Sequence, residues 1–214
     1  VGGRNDLAAK GVTLDMSLTQ SAQGIVHGGK DTGWQYGGGR GDLILNLDTQ
    51  KLGLWPGGFL NVEAEGNFIP ADKLLKSING QAGSLMFINS NQSYPTPAGD
   101  NFNLPALNFT QFLSPYFGLT IGKYATVTSN SGDMNEFAHG KGDEQFMNLA
   151  FNVNPVLLTT VPYSTLGTGI IALPTKDPQQ AIVSFLVLSS TGQASTSGFD
   201  DLDGNNLTFA GEGR

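Results

Sequence analysis

Cysteine is absent from this 214-residue chain, histidine occurs twice, and charged residues fill only 14% of positions. Without thiols there is no disulfide framework and no thiolate metal site, and a zinc site would have to lean on the two histidines. Lys and Arg number 11 against 18 Asp and Glu, for a net charge of −7, and the basic residues are scattered singly. A nucleic-acid surface needs a concentrated basic patch, so that class of partner is excluded. Also missing is any run approaching the roughly 20 consecutive apolar residues of a transmembrane helix. The opening stretch, VGGRNDLAAKG, has no apolar signal core. These absences exclude a helical membrane protein and leave open a membrane β-barrel, whose strands of about 9–11 residues escape a hydropathy search. Zero cysteine is compatible with an oxidising compartment such as the periplasm or cell surface.

What the chain has instead is glycine, at 30 positions, and alternation. Glycine-rich, charge-poor composition suits extended β architectures, where glycine marks turns, bulges and tightly packed positions. In GVTLDMSLTQ, Val12, Leu14, Met16 and Leu18 alternate with Thr13, Asp15, Ser17 and Thr19. In GDLILNLDTQ, Leu43, Leu45 and Leu47 alternate with Asp42, Asn46 and Asp48, and Ile44 breaks the pattern. A tight connection, LGLWPGG, leads to FLNVEAEGNF, which sets Leu60, Val62, Ala64 and Phe68 opposite Asn61, Glu63, Glu65 and Asn67. Further strands are expected at 117–124, 146–152, 166–173, 181–190 and 207–214, about eight in all. The last run, LTFAGEGR, breaks off within an alternating pattern, so more strands are expected to complete the sheet.

Two connections are expected to be long: residues 27–40, with Trp34 and Tyr36, and residues 69–108. A loop of the second kind is rare in compact domains unless it has a job. ADKLLKSI reads as a short helix within it, and if the strands close into a membrane barrel the loop is expected to fold into the lumen, with Phe87, Tyr94, Phe102 and Phe109, in or just after it, as candidates to narrow the opening.

The blocks RNDLAAKGVTLDMSLTQ, RGDLILNLDTQKLGLWPGGFLNVEAEGNF, SNSGDMNEFAHGKGDEQFMNLAFN and VPYSTLGTGIIALPTKDPQQAIVSFLVLSSTG resemble, in order, the carbohydrate-selective (OprB-type) porin family. The resemblance spans nearly the whole chain and includes loop segments that β-propensity does not dictate. It implies an all-β fold, an antiparallel transmembrane barrel of about sixteen strands in a Gram-negative outer membrane. Residues 1–214 would form a single domain, the N-terminal half. It implies passive diffusion of glucose and related sugars without a cofactor. The partners would be small carbohydrates, outer-membrane lipid and lipopolysaccharide, with room for a homo-oligomer.

A sugar-selective pore needs convergent hydrogen-bonding groups and an aromatic face for a pyranose ring. If the apolar face meets lipid, Asp42, Asn46, Asn61, Glu63 and Glu65 point inward, with Arg40 as an opposing charge and Trp34 as an aromatic contact; the same residues would equally line a wide aqueous lumen. The acidic inner face predicts a weak preference for cations. Trp55, at a short turn, reads as an interface anchor. Asp133, Glu136, His139, Asp143 and Glu144 match no fixed ligand spacing. Asp201, Asp203, Asn205 and Glu212 approach an EF-hand pattern, but Asn206 stands where glycine is required, so a hairpin with incidental calcium binding fits better. No nucleophile elbow or phosphate loop is present.

Two other readings remain open at this level. A secreted β-sandwich lectin or adhesin would show the same alternation but would bury its apolar face in a dry core. A glycosidase would use Glu63 and Glu65, about 7 Å apart on one strand face, yet lumen lining accounts for that pair with fewer assumptions.

Overall fold

A computed structural model describes residues 2–67, 78–84, 88–89, 102–126, 148, 162–177, 180–191 and 206–213. Among these residues eight strands lie in strict sequence order in one antiparallel sheet: β1 (Val12–Ile25), β2 (Gly33–Asp48), β3 (Gly58–Asn67), β4 (Phe102–Ser114), β5 (Phe117–Ala125), β6 (Ser164–Ala172), β7 (Val183–Ser189) and β8 (Leu207–Gly213). Two short helices accompany them, α1 (Gly2–Ala9) before β1 and α2 (Ile78–Ala82) between β3 and β4.

Directly paired residues in an antiparallel sheet share a face, so the register sorts every side chain. Leu14 pairs Leu45, which pairs Val62, and Met16 pairs Leu43, which pairs Ala64. On the same face farther along, Phe109 pairs Ile121, Ile170 pairs both Leu119 and Phe185, and Val187 pairs Phe209. This apolar face is the bare one: Leu18 is 75% exposed, Met16 72%, Phe209 65% and Ile121 63%. On the opposite face Arg40, Asp42, Glu63, Glu65 and Asn103 are buried. A water-soluble protein places its apolar surface inside and its charge outside, because burying an unpaired charge costs far more than burying a leucine. Here the apolar face is the exposed one along the sheet, and over β1 to β4 the charged face is the buried one. Among the described residues no second sheet packs on the apolar face, so the dry core that a β-sandwich requires is not formed there.

The two ends of the sheet also differ. At one end the strands are joined through residues 49–57, 115–116 and 173–182; at the other, β3 and β4, β5 and β6, and β7 and β8 are separated by 68–101, 126–163 and 190–206. Two expectations about these connections are corrected. The first loop is confined to 26–32, because β2 already begins at Gly33, and Trp34 is a strand residue paired with Gly24. The second ends at 101, because β4 starts at Phe102 and takes Pro105 at a register shift opposite Glu63–Glu65, where the missing N–H of proline is tolerated. The strand expected at 146–152 lies outside the described residues apart from Asn148, and so does the helix expected at ADKLLKSI apart from Ile78, which opens α2.

Glycine sets one close contact that no other residue could make. Gly122 in β5 has φ +141°, and a Cβ there would lie 2.3 Å from the Leu107 carbonyl oxygen and 2.6 Å from the Asn108 Cα. Gly122→Ala therefore meets both backbone strain and backbone collision. It is expected to cost about 1–3 kcal/mol, read as a lower urea midpoint for the full-length parent protein refolded in detergent micelles; an unchanged midpoint would show that β4 and β5 are not this close.

The covered face is itself divided. Over β5 to β8 it carries an apolar cluster of Tyr124, Leu186 and Leu188 with Ala210 beside it. Leu186 and Leu188 pair with Gly169 and Gly167, whose missing side chains leave them room. Over β1 to β4 the covered face is polar, and the candidate residues fall there.

Candidate functional site

The register lays the polar side chains of β1 to β4 in rows that run across the strands. Thr19 pairs Arg40 in the first row; Ser17, Asp42, Glu65 and Asn103 make the second; Asp15, Ile44, Glu63 and Ala106 the third; Thr13, Asn46, Asn61 and Asn108 the fourth. Ile44, the interruption in the alternation of its strand, thus sits on the polar face, buried between the acidic rows and the amide row.

Arg40 organises the first two rows. Its Nε donates to Asp42 Oδ1 at 2.6 Å, and its Nη2 lies 2.8 Å from Glu65 Oε1. The Ser17 hydroxyl donates to the other Asp42 oxygen at 3.3 Å, and the Tyr163 hydroxyl donates to Glu65 Oε2. Arg40, Asp42 and Glu65 are all at most 4% exposed. A guanidinium offers donors in a fixed planar fork, so one arginine can hold carboxylates from two strands at once. The fork is not used up. Arg40 Nη1 is buried without a hydrogen-bond partner, and so is the Oγ1 of Thr19 directly across from it. The cluster carries one positive against two negative groups, and Glu63 adds a third buried carboxylate one row on.

Segments outside the strands reach this wall. Asn89 Nδ2 donates to Gln23 Oε1 at 2.7 Å and to Ser21 Oγ at 3.2 Å, and Asn79 Oδ1 accepts from the backbone N–H of Ile88 and of Asn89. The carbonyl of Gln81 in α2 accepts from Lys30 and Asp31 in the first connection. Tyr163, just ahead of β6, approaches the same wall from the other side. At the turn end, Arg4 of α1 pairs with Asp15 on the polar face, which brings α1 to the edge of the sheet.

The sequence-derived candidates fare unevenly. Arg40, Asp42 and Glu65 come together in one cluster, Glu63 lies one row away, and Asn46 and Asn61 form a separate pair in which Asn61 Nδ2 donates to Asn46 Oδ1 at 2.8 Å. Trp34 does not join them. A register shift between Ser21 and Ala22 moves its part of β2 to the opposite parity, so Trp34 stands on the bare face, 65% exposed. Phe102 and Phe109 are corrected in the same way, since both point to the bare face, while Phe87 and Tyr94 lie outside the described residues. Trp55 donates from Nε1 to Gln111 at 2.8 Å and tilts against Phe109 at 6.3 Å, at the turn end of the apolar face.

Sequence reasoning missed Tyr163, Ser17, Asn103, Asn108 and Asn89. Ser17 was within reach, because it lies on the polar side of the first alternating run. Tyr163 was not, since 98 residues separate it from Glu65. Among the described residues no group of three or more His, Asp or Glu is placed to hold a metal. The stretches around Asp133–Glu144 and Asp201–Asn205 lie outside the described residues.

No protein-family model matches the chain, and no curated protein does either. Among solved structures, it is similar to the high-pH structure of OprB from Pseudomonas putida, with a TM-score of 0.69 and 18% sequence identity. The match covers 99% of this chain and 50% of that one, so the chain spans about half the length of its structural neighbour. The likeness is one of fold. The antiparallel transmembrane β-barrel implied by the resemblance in sequence is the fold to which this open eight-stranded sheet belongs.

Proposed function

We propose that the chain is the N-terminal half of an outer-membrane channel through which glucose and related small carbohydrates diffuse. One observation carries this reading, the inversion of the sheet. An apolar face exposed along the sheet suits lipid, and a charged, hydrogen-bonded opposite face over β1 to β4 suits a water-filled passage. The three long separations, 68–101, 126–163 and 190–206, all fall at one end of the sheet, which they share with the short connection 26–32, and this fits the external rim of such a barrel.

The carbohydrate part of the proposal draws on the wall around Arg40. Sugars present hydroxyls that both donate and accept, and the spare Nη1 of Arg40 beside the spare Thr19 hydroxyl suits such a group. Asn79 and Asn89 narrow the passage, Asn89 by its hydrogen bonds to Ser21 and Gln23 of β1 and Asn79 by holding the backbone at Asn89. Transport is passive on this account and calls for no cofactor and no catalytic group, and the complete barrel has about sixteen strands.

The test is solute uptake by liposomes reconstituted with the full-length parent protein. Glucose is expected to enter faster than a disaccharide or an amino acid of similar size, and Glu63→Gln combined with Glu65→Gln to slow it severalfold. A parent protein that stays soluble without detergent and leaves the liposomes sealed would overturn the channel.

A further inference from the structure

The amide row lies apart from the Arg40 cluster and has a different chemistry. We infer that it forms a second, uncharged station for a pyranose at the turn end of the passage. This rests on the channel reading above and adds a site to it.

The residues converge on a concavity of about 540 Å³ between the polar face and α1. Thr13, Asn46, Asn61 and Asn108 follow one another across β1, β2, β3 and β4 in a single row. Each amide both donates and accepts, which matches the alternating character of sugar hydroxyls better than a carboxylate can. Asn61 spends its Nδ2 on Asn46, and its Oδ1 is buried without a hydrogen-bond partner. A buried acceptor left open is costly in a protein interior and useful where a ligand donates to it.

The second ingredient is aromatic. Phe59 and Phe112 belong to the polar face at its turn end, where apolar side chains are otherwise few, and meet edge to face at 5.9 Å. Gly118, paired with Phe112, leaves room for that ring: a Cβ at Gly118 would lie 3.0 Å from it. Both rings line the same concavity as the amide row. Amides for the equatorial hydroxyls and a ring surface for the apolar face of a pyranose are the two elements that a neutral sugar needs. Asp15, Asp48 and Lys51 also line the concavity, but Asp15 is paired with Arg4 and Asp48 with Lys51 at 3.7 Å, so the charges there are matched within the protein, which favours a neutral solute over an ion.

Single-channel recording of the full-length parent protein in planar bilayers tests this, with glucose and the open-chain polyol sorbitol added on the turn side as probes. Salt conductance reports that each variant has inserted. Asn61→Leu and Asn108→Leu, on different strands, are each expected to weaken the glucose-dependent block about fivefold, the value of one hydrogen bond. Phe59→Leu is expected to abolish the preference for glucose over sorbitol. If wild-type channels are blocked by glucose and all three variants match them, the second station is wrong while the channel reading stands. Channels that glucose does not block, or a parent protein that conducts no current, overturn the station together with the reading it rests on.

Discussion

Arg40→Met is expected to be the most damaging single substitution in the sheet. Removing one partner from a buried ion cluster leaves the others uncompensated, at a cost of about 3–5 kcal/mol. Here the groups left behind are Asp42 and Glu65, both buried, and their remaining support is one hydroxyl each, from Ser17 and Tyr163. The loss should appear as a large drop in the urea midpoint of the full-length parent protein refolded into vesicles. Whatever fraction inserts should also select more strongly for cations, since the local balance loses its positive member. Reversal potentials across a salt gradient measure this. Arg40→Lys should recover the charge but not the fork, and so restore the potential more than the stability. A methionine variant that matches wild type in both would remove Arg40 from the centre of the wall.

Leu18→Arg is the second. Leu18 sits midway along β1 on the bare apolar face, paired with Gly41. If that face meets lipid, an arginine near the bilayer midplane costs about 2–4 kcal/mol. If it meets water, the same change is harmless and improves solubility. The two environments thus predict opposite signs from one substitution, read as the yield and urea midpoint of folding into vesicles. Full folding of the arginine variant would defeat the barrel orientation.

Much of this wall was legible in the sequence because strand alternation is a local property. Asp42, Glu63 and Glu65 could be assigned to one face by counting in twos, and the structure keeps them together. Counting in twos fails wherever a residue is inserted. Trp34 is six residues before Arg40 and would share its face in a regular strand, but the register shift at Ser21–Ala22 reverses the parity beyond it. The glycines that precede Arg40 hid the same strand, since GWQYGGGR reads as a loop by composition. Pro105 likewise disguised β4, although proline at a bulge removes no ladder bond. What no local pattern could supply was the contribution of distant segments. Tyr163 on Glu65 and Asn89 on Ser21 join residues 98 and 68 positions apart, which only the assembled sheet brings together.

The strict sequence order of the strands also has a kinetic consequence. Each strand zips onto the one before it, so the entropy of closing each intervening loop sets the order in which hairpins appear. β4 and β5 are joined through 115–116, whereas β5 must wait for β6 across 126–163. The logarithmic dependence of closure on length makes the second event harder by about 2–3 kcal/mol. The β4–β5 hairpin is the natural nucleus, and the buried contact of Tyr163 with Glu65, which needs β6 in place, belongs to the last steps of assembly.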